Sequence, residues 1–186
     1  TAKFEHAYYV MYIGKLGLLE TSKSNKKLVN DLLALMQTKE LDYTLTFAYL
    51  TKIANNSANL KNKPESLTKD LFASEFHNAL GEWLENWQLA IEKSALLSQE
   101  SQILMQKSNP VVIPRNHHVE EILSRCEQAL AGNLNQNTLN DQVVVKDIVD
   151  EFLHVLRSPY QQLDVTKNFQ DTPKDGDRYY QTFCGT

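Results

Sequence analysis

An all-α domain, an irregular bundle of about six helices with an extended carboxyl-terminal tail, is the fold class that this chain of 186 residues predicts. Three observations carry the expectation. Apolar residues recur at intervals of three and four through most of the chain, and no run alternates apolar and polar residues as a half-buried strand would. The five prolines fall where that periodicity stops. No segment repeats another, so a stacked-repeat architecture is not indicated.

From Phe4 to Leu18, apolar residues that include Ala7, Met11 and Ile13 return at helical spacing, and Gly14 and Gly17 close or kink the segment. In "KKLVNDLLALM", only a helix gathers Leu28, Leu32, Leu35 and Met36 on one face. "ELDYTLTFAYLTKI" places Leu41, Leu45, Tyr49 and Ile53 four apart; helix is favoured, although its threonines and tyrosines also suit a strand. Residues 55–66, within "ANNSANLKNKPES", are polar and include Pro64. They offer too little apolar surface to offset the entropy of ordering, so a mobile loop is expected.

The longest element begins near Thr68, where Phe72, Phe76, Leu80, Trp83, Trp87 and Ile91 form one stripe. Helical propensity extends it to about Met105, with the polar "SQESQ" as an alternative break. Pro110 and Pro114 forbid a continuing helix and hold "VVI" extended. Asn116 is suited to cap the next helix, Glu120 and Glu121 lie in its opening turns, and Gly132 or Asn133 stops it. Val119, Ile122, Cys126 and Ala129 or Leu130 share a face of that helix. After a polar loop, "NLNQNTLND", the residues Val145, Ile148, Phe152 and Leu156 make the last stripe, stopped by Ser158 and Pro159. The "VVV" at its start also permits a short strand. The tail, residues 159–186, has turn residues at Pro173 and Gly176 and no helical period. It is expected to cross the surface irregularly and to be ordered only where it docks.

Composition excludes several classes of function. The 19 basic and 23 acidic residues are intermixed, with net charge −4 and no basic stripe to neutralise a row of phosphates, so no nucleic acid partner is expected. No apolar run approaches the roughly 20 residues of a membrane-spanning helix, so no membrane partner is expected either. Two cysteines, Cys126 and Cys184, are too few for a secreted disulfide framework and lack CxxC spacing; a reducing compartment fits best. The opening "TAKFEHAYYV" shows neither an initiator methionine nor a secretory signal, and the chain reads as part of something longer.

The chemistry-bearing motifs are missing. There is no Gly-rich phosphate loop, HExxH, GxSxG or framed carboxylate pair, so no catalytic residue, cofactor or metal is expected in this chain. His117 and His118 are adjacent and point about 100° apart on a helix, which favours first-turn surface histidines over a shared metal. His6, His77 and His154 stand alone and are expected to be hydrogen-bonded structural residues. Trp83 and Trp87 lie on the apolar stripe, which favours core packing over base stacking. Cys126 sits on an apolar face and is expected to be inert. Arg115 stands outside helical register, where its guanidinium can reach a carboxylate or carbonyl of another segment, an exposed arginine being the alternative. Cys184, beside Tyr179, Tyr180 and Phe183, is either shielded by docked aromatics or used. A bridge between Cys184 and Cys126 needs α-carbons about 6 Å apart, which the sequence leaves open.

"NPVVIPRNHHVEE", followed by a helix, then "LRSPY" and the terminal "YYQTFCGT", resembles the carboxyl-terminal region of the selenoprotein O family of kinase-like protein adenylyltransferases. Upstream, "KLGL", "LLALM", "DYTLTFAYL" and "WLENW" are similar to helical segments of the same family, so the resemblance covers essentially residues 1–186. The chain departs from it at Ala48, where the family carries arginine after the phenylalanine, and at Asn133–Gln142, which is longer than the usual "GD" connection. The resemblance implies a parent with a kinase-like fold that binds inverted ATP with Mg²⁺ or Mn²⁺ and transfers AMP to Ser, Thr or Tyr of proteins. It also implies that the catalytic lysine, the metal-binding residues and the glycine-rich loop lie in an amino-terminal part absent from this chain. That part and the protein substrates become the expected partners, in a bacterial cytoplasm. Asn109, Pro110, Arg115, Asn116, Tyr180 and Phe183 then become structural or interface residues. Cys184 matches the position that holds selenocysteine in eukaryotic members, which is linked to redox control through a bridge to the kinase-like part. Two other readings stand beside this one. The first is a self-standing helical interaction module that binds through the Asn116 helix or the tail. The second is a small thiol oxidoreductase centred on Cys184, which needs a nearby cation such as Arg178 or Lys174.

Overall fold

The computed structural model describes residues 2–54, 71–131 and 138–172, and these form seven α-helices and one 3₁₀ turn with no strand among them. They divide into two compact units, one reaching to Pro110 and one starting at Val111. The all-α expectation holds.

The first unit contains α1 (Ala2–Lys15), α2 (Lys23–Thr38), α3 (Tyr43–Ala54), α4 (Leu71–Glu92) and α5 (Ser98–Ser108). At the end of α1, the Gly17 N–H donates to the Gly14 carbonyl and the Leu18 N–H to the Ile13 carbonyl, both at 3.0 Å, with Gly17 at φ +72°. This pairing satisfies the orphan carbonyls of a helix end and needs a left-handed residue between the two bonds. Ile13 and Leu18 bracket the turn and are both buried. The end of α2 uses the same closure, Leu41 N–H to Met36 carbonyl, but places Glu40 rather than glycine in the left-handed position, at φ +52°.

The start signals explain two choices that periodicity left open. Asp42 Oδ1 accepts the Leu45 N–H at 2.8 Å, and the hydroxyls of Thr46 and Thr51 return to carbonyls one turn back. With its first turn capped and Thr46 and Thr51 satisfied locally, "DYTLTFAYLTKI" is helix rather than strand. The long stripe does break, but before "SQESQ". Residues 93–97 leave the helix, and Glu100 then reaches back to accept the Leu97 N–H at 2.9 Å, so the polar stretch opens α5. Within α4, Gly81 (φ 41°, ψ −125°) interrupts the helical backbone, a kink the sequence reading did not anticipate.

The core of the first unit gathers Leu28, Leu32 and Met36 from α2, Phe47 and Leu50 from α3, Trp83 and Trp87 from α4, and Met105 from α5. The two indoles stack with centroids 5.9 Å apart. Each uses its N–H on a backbone carbonyl, Trp83 on Leu28 of α2 at 3.0 Å and Trp87 on Leu16, just past α1, at 2.9 Å. The core role expected for both therefore holds. Ala7 and Met11, counted in the helical period of α1, are exposed. The buried residues of α1 are Ile13 and Lys15, with Leu16 buried just beyond it and Tyr9 and Tyr12 packing half-buried against the same core.

The second unit packs α6 (Asn116–Ala131) against α7 (Thr138–Arg157), with the 3₁₀ turn Asp164–Phe169 on α7. Its smaller core is Val112, Ile122, Phe152, Val155 and Phe169, with Val119 and Cys126 alongside. Three expectations change here. The "TLND" assigned to a loop is the first turn of α7, whose "VVV" follows the helical reading and not the short strand also permitted. The Arg115 carbonyl accepts the Val119 N–H at 3.1 Å, so the first turn closes one residue before the expected cap, with Asn116 as the first helical residue. The tail is not irregular throughout, since Thr166 and Phe169 are buried and the ring of Phe169 lies 5.1 Å from that of Phe152. An aromatic residue that fills a small core holds its segment without a longer helical period. The loop at 55–66, the side chains of Phe72 and Phe76, the stop at Gly132 or Asn133 and everything beyond residue 172 lie outside the described residues.

Gly17→Ala tests the α1 closure. A Cβ there would sit 2.3 Å from Ser101 Oγ and 3.0 Å from Met105 Cγ, in a backbone region that L side chains resist. A loss of about 2–4 kcal/mol is expected, measured by guanidinium unfolding followed through tryptophan fluorescence. Glu40→Gly, at the equivalent place in α2, should instead raise the unfolding midpoint.

Candidate functional site

Two polar clusters are buried. In the first unit, Asn109 is 1% exposed and joins three helix ends. Its Nδ2 donates to the Lys15 carbonyl at 2.9 Å and to Thr51 Oγ1 at 3.0 Å, and its Oδ1 accepts from Lys15 Nζ at 3.4 Å. Lys15 Nζ also donates to the Ser108 carbonyl at 2.9 Å and lies 5.0 Å from the Phe47 ring centroid and 5.6 Å from that of Tyr43. Burial pulls the Lys15 amine below its ordinary value. Oxygens and ring faces compensate the charge of this ammonium, an arrangement that favours the cation only in one fixed position. Nearby, the Tyr49 hydroxyl, pushed up to about 12 by burial, hydrogen-bonds His77 Nδ1 at 3.0 Å, so His77 is the structural histidine expected.

In the second unit, His117 and His118 open α6 with ring centroids 4.0 Å apart. They are not the surface pair that adjacency suggested: His118 is 2% exposed and His117 is half-buried. The ring of Phe169 meets His118 edge-on at 5.5 Å, because the 3₁₀ turn folds over the start of α6. Asp171 arrives with it, placing Oδ1 3.0 Å from His118 Nε2 and 3.8 Å from His117 Nε2. Neither approach is aligned as a hydrogen bond, and His117 Nε2 and both ring nitrogens of His118 lack a partner. Desolvation and the neighbouring His117 hold the His118 ring below its ordinary value, against the opposing pull of Asp171 and Glu121.

The segment between Pro110 and α6 is fastened at both faces of its backbone. The Val111 N–H donates to the Pro159 carbonyl at 2.7 Å, and its carbonyl accepts from Gln170 Nε2 at 2.9 Å. The "NPVVIP" and "LRSPY" blocks, far apart in sequence, therefore meet. Pro110 and Arg115 are half-buried and Asn116 is exposed, while Cys184, Tyr180 and Phe183 lie outside the described residues. Cys126 is a free thiol beside the second core.

A groove in the first unit runs between the α1–α2 connection and α4, bordered by Lys27 and Lys93 against Glu20 and Asp31. Lys27 is already paired with Asp31, and no glycine-rich turn borders the groove. These residues do not fit a triphosphate and its cation.

The family model described as Protein adenylyltransferase SelO matches residues 1–149. This chain belongs to the SelO family. SelO relatives named Protein nucleotidyltransferase YdiU include that of Teredinibacter turnerae, 36% identical over 183 residues, which covers 98% of this chain and 32% of the relative. The YdiU of Pseudoalteromonas translucida is 33% identical across 99% of this chain and 31% of its own length. That of Anoxybacillus flavithermus is 33% identical across 92% and 29%. The chain thus spans about a third of the length of the SelO relatives it matches. No solved structure matches it significantly. No helix among the described residues is long and apolar enough to cross a membrane.

Sequence reading named Asn109 through the family block but missed its partners, Lys15 and Thr51. Their only signal was a lysine and a threonine at positions that helical phase assigns to the core. It missed Asp171 altogether.

Removing the Asn109 amide should strand the Lys15 carbonyl and loosen the ammonium beside it. Asn109→Ala is expected to cost about 3 kcal/mol in denaturant unfolding, at roughly 1–3 kcal/mol per buried group left unpaired. The lowered His118 value gives a second expectation. Below about 6.5 the unfolded chain takes up a proton that the folded ring resists, so the second unit should lose stability as pH falls through that value and recover it as pH rises. Hydrogen exchange of the α6 amides at successive pH values reads this, and His118→Gln should remove that component.

Proposed function

We propose that this chain is the carboxyl-terminal helical region of a protein adenylyltransferase of the bacterial cytoplasm. The parent transfers AMP from ATP, with Mg²⁺ or Mn²⁺, to hydroxyls of Ser, Thr or Tyr on proteins. The region itself holds no nucleotide and contributes structure and redox regulation. The single observation that carries the reading is the SelO match over residues 1–149, together with relatives named nucleotidyltransferases that extend well beyond the matched third.

The chemistry of the described residues supports this division of labour. A groove whose Lys27 is already paired with Asp31 and which has no glycine-rich turn gives a triphosphate little to hold, whereas exposed apolar side chains suit packing against further protein. Phe4 and Met11 lie seven apart on α1 and are both exposed, as are Leu123 and Leu130 on α6. The amino-terminal kinase-like part is the partner that would cover them. Asn109 and Pro110 in the first unit, and Arg115 and Asn116 at the start of α6, take structural or interface roles in the parent. Cys184, with Tyr180 and Phe183, supplies the thiol that responds to redox state in the intact protein.

The test uses the parent polypeptide and ATP labelled on its α-phosphate. The parent should label protein substrates with a divalent cation present, and this chain alone should label none. Supplied separately, this chain should associate stably with the amino-terminal portion; failure to associate would favour a self-standing interaction module. In the parent, Cys184→Ser should abolish the response of labelling to reductant, and an unchanged response would remove the redox role.

A further inference from the structure

We propose that His117, His118 and Asp171 form a binding site for a divalent transition ion of the zinc class, held by the protein on three sides with the fourth position left to water. This goes beyond the adenylyltransferase reading and does not depend on it.

The geometry is the first argument. Tetrahedral ligands about 2.1 Å from a zinc ion lie roughly 3.4 Å from one another. Asp171 Oδ1 stands 3.0 Å from His118 Nε2 and 3.8 Å from His117 Nε2, on either side of that spacing. One donor atom from each residue can be chosen so that all three lie within 4.8 Å of one another. Adjacent histidines in the middle of a helix diverge. These two open α6, and their rings come together beneath the 3₁₀ turn.

The unmet hydrogen-bonding capacity is the second argument. A histidine 2% exposed ordinarily finds partners for its ring nitrogens, yet both of His118's lack one, as does His117 Nε2. A neutral imidazole lone pair facing a carboxylate oxygen at 3.0 Å is repulsive unless something positive lies between them.

The donor set decides the class of ion. Two imidazoles and one carboxylate suit Zn²⁺, Co²⁺ or Ni²⁺, and supply too few hard oxygens for Ca²⁺ or Mg²⁺. Glu121 and Arg115 act on His118 with opposite signs, leaving Asp171 to neutralise part of the ion's charge. Asp171 is placed by its neighbours: Phe169 is seated in the core and the Gln170 side chain is bonded to Val111. Being 61% exposed itself, Asp171 can close onto an ion without disturbing the core. Bound there, the ion fastens the chain beyond Phe169 to the start of α6.

The chain is stripped with chelator and titrated calorimetrically with Zn²⁺. One ion per chain is expected, with the melting temperature rising as Zn²⁺ is added. Asp171→Asn and His117→Gln should each weaken binding at least about tenfold and abolish most of the thermal shift. His6→Gln should leave both unchanged. Because Asp171 is exposed, its variant tests the site even if His118→Gln fails to fold. Co²⁺ should give the visible bands of a tetrahedral nitrogen and oxygen site without a thiolate charge-transfer band. Absence of saturable binding, affinity retained in both variants, or a thiolate band that assigns the ion to the cysteines would each overturn the proposal.

Discussion

The first unit depends on a single carboxamide. Asn109 uses both hydrogens of its amide and its oxygen, connecting the carbonyl that ends α1, a hydroxyl of α3 and an ammonium that in turn holds the last carbonyl of α5. Leucines can slide past one another with little penalty, whereas a buried polar network tolerates one register. The tryptophans follow the same rule, each spending its N–H on a backbone carbonyl while its ring fills the core. Apolar faces bring these helices together, and the polar atoms between them fix where they stop.

The second unit is built with fewer means. Among the described residues five buried apolar side chains form its core, and the segment entering α6 is fastened through Val111 by the backbone of Pro159 and the side chain of Gln170. Phe169 completes that core from a turn of one 3₁₀ helix. Burying one aromatic side chain offsets the ordering of several residues around it, which is why a stretch without periodicity still holds a defined path.

Helical phase made the packed faces of α2, α3 and α4 legible, because the same residues had to serve one side of one helix. It failed where short-range chemistry decides. Asp42 as a cap, Glu100 reaching back to Leu97 and Thr138 opening α7 each depend on one side chain or one turn rather than on a repeat. Periodicity also counted Met11 with Ile13, although Met11 lies on the exposed side of α1. The histidine pair was judged by the angle between neighbours on an ideal helix. What unites them is a carboxylate from a distant turn, and no spacing rule connects Asp171 to His118. Asn109 was legible only through a family block, and its importance lies in partners that the block does not contain.

The bond from Asn109 to the Lys15 carbonyl spans 94 residues. During synthesis on a ribosome, α1 emerges before α5 and must wait for it before its final turn can be locked. Contacts of such long separation are late and slow to form. Until then the lysine stays solvated and the helix provisional, so a nascent chain halted anywhere before Asn109 would leave that turn open to proteases and chaperones.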